Sequence, residues 1–413
     1  MNVYLLLVIV FLTLAWILDI VLECKNLSCL SETMPHEFRD VLDGDTYARS
    51  RDYTRALARF SLVKGTFDYL VLVTFVSLGG IGLLDVWVRS LGVSPLVTGL
   101  VYFALLGLAL DMLSIPFDFY HTFFIEERFG FNTMTLSTFW SDRLKGYGLT
   151  MVVGGALLAA VLWLFINTGP WAWIWCWGCT TVFMVGLTYC APRFILPLFN
   201  TFTPLEDGEL KKAITQFADK IGFGLAGIMV MDGSRRSSKS NAFFTGFGSK
   251  KQIALFDTLV AKHTVQELVA ILAHEVGHYM CKHIIKKMVM GIVKTGVVFW
   301  LMSQIMGMDA LAAAFGVEVP SVHTGLVIFA LLYTPISLIL GPISSFVSRK
   351  HEFEADRFAA EHIDDPQSLI TALKKLAVGN LSNLTPHPWY VAFRYSHPPV
   401  GERIKAIEAF SNR

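Results

Sequence analysis

Residues 274 to 278 read His-Glu-Val-Gly-His. Positions four apart on a helix lie on one face, so His274 and His278 aim their imidazoles at one point. Two ligands of a tetrahedral zinc must do the same. Glu275 is rotated off that pair but stays beside the metal, where it could take a proton from water. The helix is predicted independently of the motif. Thr264-Val-Gln-Glu267 is a capping box, and Leu268, Ile271, Leu272 and Val276 form an apolar stripe behind it. The plain alternative is a helix that happens to carry two histidines.

Such a site needs a third protein ligand. Ser348-Arg349-Lys350-His351-Glu352-Phe353-Glu354-Ala355-Asp356 reads as the start of a second helix. Glu352 and Asp356 are again four apart and share a face. One carboxylate could bind zinc while the other accepts the free N–H of a ligating histidine. Spacing alone leaves the assignment open, because Glu354 and His351 compete for it and a run this charged also suits a solvated helix face. Cys281 lies near the face of His278, but a thiolate is not needed once a carboxylate completes the site. His283 reads as a surface or packing histidine.

His-Glu-x-x-His followed about seventy residues later by Ser-Arg-x-x-Glu-Phe-x-Ala-Asp resembles the integral-membrane zinc metallopeptidases typified by the type-1 CAAX prenyl protease. The resemblance continues through Arg236-Ser-Ser-Lys-Ser-Asn-Ala-Phe-Phe-Thr-Gly-Phe, Leu255-Phe-Asp-Thr-Leu and Tyr395-Ser-His-Pro-Pro-Val-Gly-Glu-Arg403. In the apolar half it includes Ile115-Pro-Phe and Phe124-Ile-Glu-Glu-Arg-Phe-Gly-Phe-Asn132. It implies that Glu352 is the third zinc ligand and Asp356 the acceptor behind a ligating histidine. It also implies that His397 and Arg403 line the active site, where cationic or N–H donors could stabilise negative charge on a carbonyl oxygen. Read without it, Ser396-His397-Pro398-Pro399 is an ordinary turn. Asn241, Ala242 and Phe243, continued by Phe244, match an extended edge that pairs with the backbone of a substrate. A simple hairpin would use the same residues, since Gly248-Ser-Lys-Lys251 makes a turn before Ile253-Ala-Leu-Phe256.

The elements that position these residues must include membrane helices. Of 413 residues, 54% are hydrophobic and only 16% charged, too apolar for a soluble enzyme of this size. The net charge of +1 gives no sign of nucleic-acid binding. Apolar stretches of about 20 residues fall at 3–22, 67–88, 96–119, 147–167, 170–191, 288–308 and 323–347. The first lacks a basic start and a cleavage site and reads as an anchor. Residues 25–65 read as loop-like, with interfacial helices. Asp111, Lys294 and Gln304 inside spans fit either a water-filled interior or buried polar pairs. Cys176-Trp-Gly-Cys179 has redox spacing but sits in an apolar span, which argues against that role.

Basic residues concentrate in the connections after spans one and three, in 192–287 and in the C-terminal tail, whereas the opposite connections hold only Arg89. By the positive-inside rule the zinc site and C-terminus face the cytoplasm and the N-terminus lies outside. The predicted architecture is mostly α. Spans 1–5 occupy 1–191, a catalytic segment with a small β-hairpin or sheet occupies 192–287, spans 6–7 occupy 288–347, and 348–413 carries the third ligand. The resemblance implies a seven-helix barrel around an aqueous chamber, capped by the zinc domain. The expected function is a zinc metalloendopeptidase with Glu275 as general base and one zinc per chain. Its substrate is a peptide or protein, prenylated at its C-terminus or taken from the membrane for quality control. The alternative is a non-catalytic scaffold or translocon-clearing factor, for which Glu275 would be superfluous. A short connection at 309–322 and the lack of a long tail favour a bacterial inner membrane, or the endoplasmic reticulum if the cell is eukaryotic.

Overall fold

The computed structural model describes residues 2–225, 227–245 and 252–411. Helices dominate, with one small mixed sheet. Among the described residues six helices are long and apolar enough to cross a membrane: Val3–Ser28, Gly44–Ser77, Pro95–Glu126, Leu136–Asn167, Gly169–Phe199 and His283–Ile305. Val322–Leu332 and Thr334–His362 add a seventh crossing if taken as one span bent by 57°. That bend falls just before Pro335, in the first turn of the second helix, where a missing N–H costs nothing.

Every predicted apolar stretch falls largely on helix, but several boundaries differ. Residues 25–65 are largely helical rather than loop-like. Val3–Ser28 runs past residue 25, and Asp43 starts Gly44–Ser77 by accepting a hydrogen bond from the Thr46 N–H at 2.6 Å. Charged residues spaced four apart, such as Lys64 and Asp68 at 2.6 Å, support this helix while hiding its apolar period. The stretch at 67–88 is two helices, because Gly79 turns the chain with φ +72° before Gly80–Arg89. The fourth span begins at Leu136, so Arg143 lies on a helix instead of in a connection. Its guanidinium pairs with Asp111 at 2.5 Å and Asp118 at 3.2 Å, which gives the charge inside the third stretch a partner.

The sheet has the order β1-β2-β4-β3. Strand β1 (Phe202–Pro204) runs antiparallel to β2 (Gly227–Met231), which is parallel to β4 (Gln252–Phe256). Strand β3 (Ala242–Thr245) pairs antiparallel with β4 in the register Ala242 to Leu255 and forms one edge. The predicted turn at 248–251 lies outside the described residues. Beneath the sheet, Ile253, Leu255 and Leu259 pack with Leu268, Ile271, Leu272 and Val276 of the helix Val265–Met280 and with Ile404 and Ile407 from the C-terminal helix. This core joins residues from 253 to 407, so the late part of the chain closes onto the first histidine motif.

Two of the distant sequence strings meet at the rim of this unit. Asn132 bridges Ser237, and the Ser238 N–H donates to the Phe131 carbonyl at 3.0 Å. Lys239 lies over the Phe131 ring and bonds Glu126 and the Tyr53 hydroxyl, each at 2.7 Å. Arg236 forks onto Asp142 at 2.7 and 3.0 Å. These contacts tie the segment that leads into β3 to the ends of three apolar helices.

Candidate metal centre and active site

The helix Val265–Met280 begins with the predicted capping box: Thr264 and Glu267 exchange hydrogen bonds of 3.0 and 3.3 Å. Its apolar stripe is buried, which turns His274 and His278 away from the core and toward the helix Thr334–His362. Gly277 permits that approach. A Cβ built there would stand 3.0 Å from the Ala355 carbonyl oxygen and 3.1 Å from its Cα. Any larger residue would force the two helices apart.

Nε2 of His274 and Nε2 of His278 face each other at 3.2 Å. The Glu352 carboxylate lies 3.4 Å from the first and 3.3 Å from the second. Ligand atoms bound to one tetrahedral ion at roughly 2.0–2.1 Å stand about 3.3–3.4 Å apart, so the three residues have the spacing of a shared zinc. Among the described residues Glu352 Oε2 is also buried with no hydrogen-bond partner, a costly state that a cation would relieve. The donor set of two imidazoles and a carboxylate suits zinc and leaves a fourth position open.

Behind these atoms, Asp356 Oδ1 lies 2.9 Å from His274 Nδ1. Arg403, itself buried, holds the same carboxylate through Nε at 2.7 Å and Nη2 at 2.6 Å. Burial alone would raise the Asp356 carboxyl, but the Arg403 charge and the hydrogen bonds from Arg403 and His274 bring it down to about 2. Burial would raise Glu352 too, but the two histidines that face it hold it well below the usual carboxylate range. Burial moves Glu275 the other way, upward, against the pull of the two histidines. A carboxylate raised toward neutrality is better suited to accept and return a proton.

A cavity of about 500 Å³ opens over this group and is lined by Glu275, His397 and Arg403 with Asn241, Ala242 and Phe243. The His397 Nε2 stands 3.5 Å from Glu352 Oε1 while its side chain remains 65% exposed to the cavity. Arg349 places it by donating to the carbonyls of Val391 at 3.0 Å and Tyr395 at 2.8 Å, which pins the turn that carries His397. All the predicted site residues therefore lie at one place. Glu354 and His351, the competitors for third ligand, meet His283 instead: Glu354 Oε2 lies 2.9 Å from its Nε2, and the His351 ring stacks on it.

One residue at the site escaped the sequence reading. Of the two expectations for His283, surface or packing, the structure gives the buried one, but beside a ligand: it is 1% exposed, and its Nδ1 lies 2.9 Å from Nδ1 of His278. An uninterrupted helix would carry it well around from His278. The helix instead ends at Cys281, and Lys282, at φ +57°, turns the chain and starts His283–Ile305. The signal available was a third histidine just past a helix end, which spacing rules for a single helix do not read.

Comparison with known proteins covers the same ground. The family described as CAAX prenyl protease N-terminal, five membrane helices, matches residues 23–201, and peptidase family M48 matches 204–411. CAAX prenyl protease 1 of Saccharomyces cerevisiae is 34% identical over 93% of this chain and 90% of its own length. The homolog from Oryza sativa subsp. japonica is 33% identical over 98% and 97%, and the Homo sapiens homolog 30% over 91% and 88%. The crystal structure of S. mikatae Ste24p superposes with a TM-score of 0.94 at 32% identity, covering 99% of this chain and 100% of that one. These eukaryotic relatives are close to this chain in length, so its compactness does not support the expected bacterial membrane. With its apolar helices and its His/Glu cluster, the chain belongs to the type-1 CAAX prenyl protease family of M48 peptidases, integral-membrane zinc metalloendopeptidases.

Proposed function

We propose that this metalloendopeptidase cleaves prenylated C-terminal CAAX peptides, with one zinc per chain held by His274, His278 and Glu352. The carrying observation is that these three residues, Glu275 and the edge of β3 line one cavity. Zinc held by these three residues would supply a Lewis acid to polarise the scissile carbonyl and make water more acidic. Glu275 takes a proton from the attacking water and returns it to the leaving amine. His397, exposed to the cavity, donates to the developing oxyanion. Arg403 holds Asp356, which fixes the His274 ring and tautomer. Asn241, just before β3, and Ala242 and Phe243 on it offer the side away from β4 to the substrate, which extends the sheet as an added strand.

The same reading divides the chain into membrane segments at 1–191 and 288–347 and catalytic segments at 192–287 and 348–413. Seven crossings enclose an aqueous chamber as a barrel, and the zinc unit caps it on the cytoplasmic side. The support is the overlap with the Ste24p structure and the basic residues gathered on the connections at that end. In a eukaryotic cell the membrane is that of the endoplasmic reticulum.

The test is to incubate the purified chain with a farnesylated CAAX peptide and with its unprenylated twin. Preferential cleavage of the farnesylated peptide supports the proposal. Equal cleavage of both would reject prenyl recognition and point to general membrane-protein quality control. No cleavage of either would point to a scaffold.

A further inference from the structure

The two histidines of the metal centre are supported in different ways. His274 Nδ1 meets a carboxylate directly, whereas His278 Nδ1 meets a second imidazole, His283 Nδ1, at 2.9 Å. On its far side His283 Nε2 lies 2.9 Å from Glu354 Oε2. Hydrogen-bond bookkeeping allows only one arrangement with neutral rings. With the His278 Nε2 lone pair facing the metal position, its proton must sit on Nδ1. His283 Nδ1 must then accept, which leaves the His283 proton on Nε2, directed at the Glu354 carboxylate. The chain is complete: His278 donates to His283, and His283 donates to Glu354.

We infer that His283, backed by Glu354, is a positioning residue that fixes the tautomer and ring plane of His278 and thereby sets zinc affinity. The inference rests on the assignment of His274, His278 and Glu352 as ligands. Outer partners of this kind orient a ligating imidazole and raise its basicity. His283 is itself held in place, since it is almost fully buried and stacks on His351 with ring centroids 4.1 Å apart and planes inclined by 13°. Lys286 adds a cation 3.6 Å from Glu354 Oε2.

His283, His351 and Glu354 could also be taken for a second metal site, because their ligand atoms are close together. The stacking argues against it. Imidazole lone pairs lie in the ring plane, and two nearly parallel planes this far apart cannot both point at one ion at roughly 2.0–2.1 Å. The arrangement suits a chain of hydrogen bonds instead.

The test measures zinc affinity of the full-length chain in detergent by competition with a chromogenic chelator, independently of turnover. His283→Phe keeps the ring and its stacking on His351 but removes the acceptor, and should weaken zinc binding by about 10- to 100-fold. His283→Gln restores an acceptor and should recover part of that loss. Glu354→Ala, at a side chain 34% exposed, disturbs the chain without opening the core and should weaken binding severalfold. Affinity within about twofold of the parent for a folded His283→Phe overturns the inference. If His283→Phe does not fold, unchanged affinity of Glu354→Ala overturns it. A parent that binds two zincs, falling to one in Glu354→Ala, overturns it in favour of a second metal site. His278→Ala is the control: retained zinc there sinks the ligand assignment itself, while lost zinc with normal His283→Phe affinity sinks only the positioning role.

Discussion

Arg403 grips Asp356 with two hydrogen bonds of 2.6 and 2.7 Å, and the same Arg403 Nη2 lies 3.3 Å from His274 Nδ1. The arginine is thus committed to the support of a ligand rather than paired with Glu402 or Glu408 on the surface of its helix. Breaking one member of a buried, hydrogen-bonded charge pair leaves the other uncompensated. Arg403→Ala should therefore weaken zinc binding about 10- to 100-fold along with turnover. Chelator competition and kinetics on the same preparation check this. Normal zinc affinity with impaired turnover would return Arg403 to a role at the oxyanion.

His397 should behave differently. It touches Glu352 only at 3.5 Å and is mostly exposed to the cavity. His397→Ala should leave zinc content and thermal stability unchanged and lower kcat by about a hundredfold, the loss typical of a removed transition-state donor. A loss confined to KM would mark a residue that only holds the peptide.

Glu275→Gln preserves size and helix propensity but removes the base. Zinc should remain bound while kcat falls by roughly 10²–10⁴-fold. Single-turnover cleavage of a fluorogenic peptide, with elemental analysis in parallel, separates the two effects. Near-normal turnover would require another group to accept the proton.

His274→Ala combined with His278→Ala should abolish zinc retention, from about one ion per chain in the parent. Elemental analysis after gel filtration is sufficient. Zinc retained in full by the double variant would place the ion elsewhere.

Gly277→Val tests the spacing of the two ligand helices. Its Cβ would meet Ala355 backbone atoms at 3.0 and 3.1 Å, which cannot rotate away. The cost of overpacking, about 1–3 kcal/mol, should appear as a lower Tm and weaker zinc binding together. An unchanged Tm would mean that the helices are free to separate.

The local sequence was enough for whatever depends on local geometry. A period of four placed His274 beside His278 and Glu352 beside Asp356, and the Thr264–Glu267 capping box marked the helix start that appears in the fold. The apolar spans were visible because a bilayer demands about 20 apolar residues from each crossing helix. Their ends were less visible, since a charged amphipathic start such as residues 44–65 carries no hydrophobic signal, and the turn at Gly79 leaves the apolar pattern unbroken. The resemblance to known sequences, rather than spacing, singled out Glu352, Asp356, His397 and Arg403. Their convergence belongs to the tertiary structure, because residues 274, 352 and 403 meet only when the core from Ile253 to Ile407 closes. The place of His283 depended on one backbone angle, the positive φ at Lys282, that swings a residue beyond the helix end back under His278. Side-chain periodicity describes the face of one helix; it carries no information about what a turn brings to that face from the next.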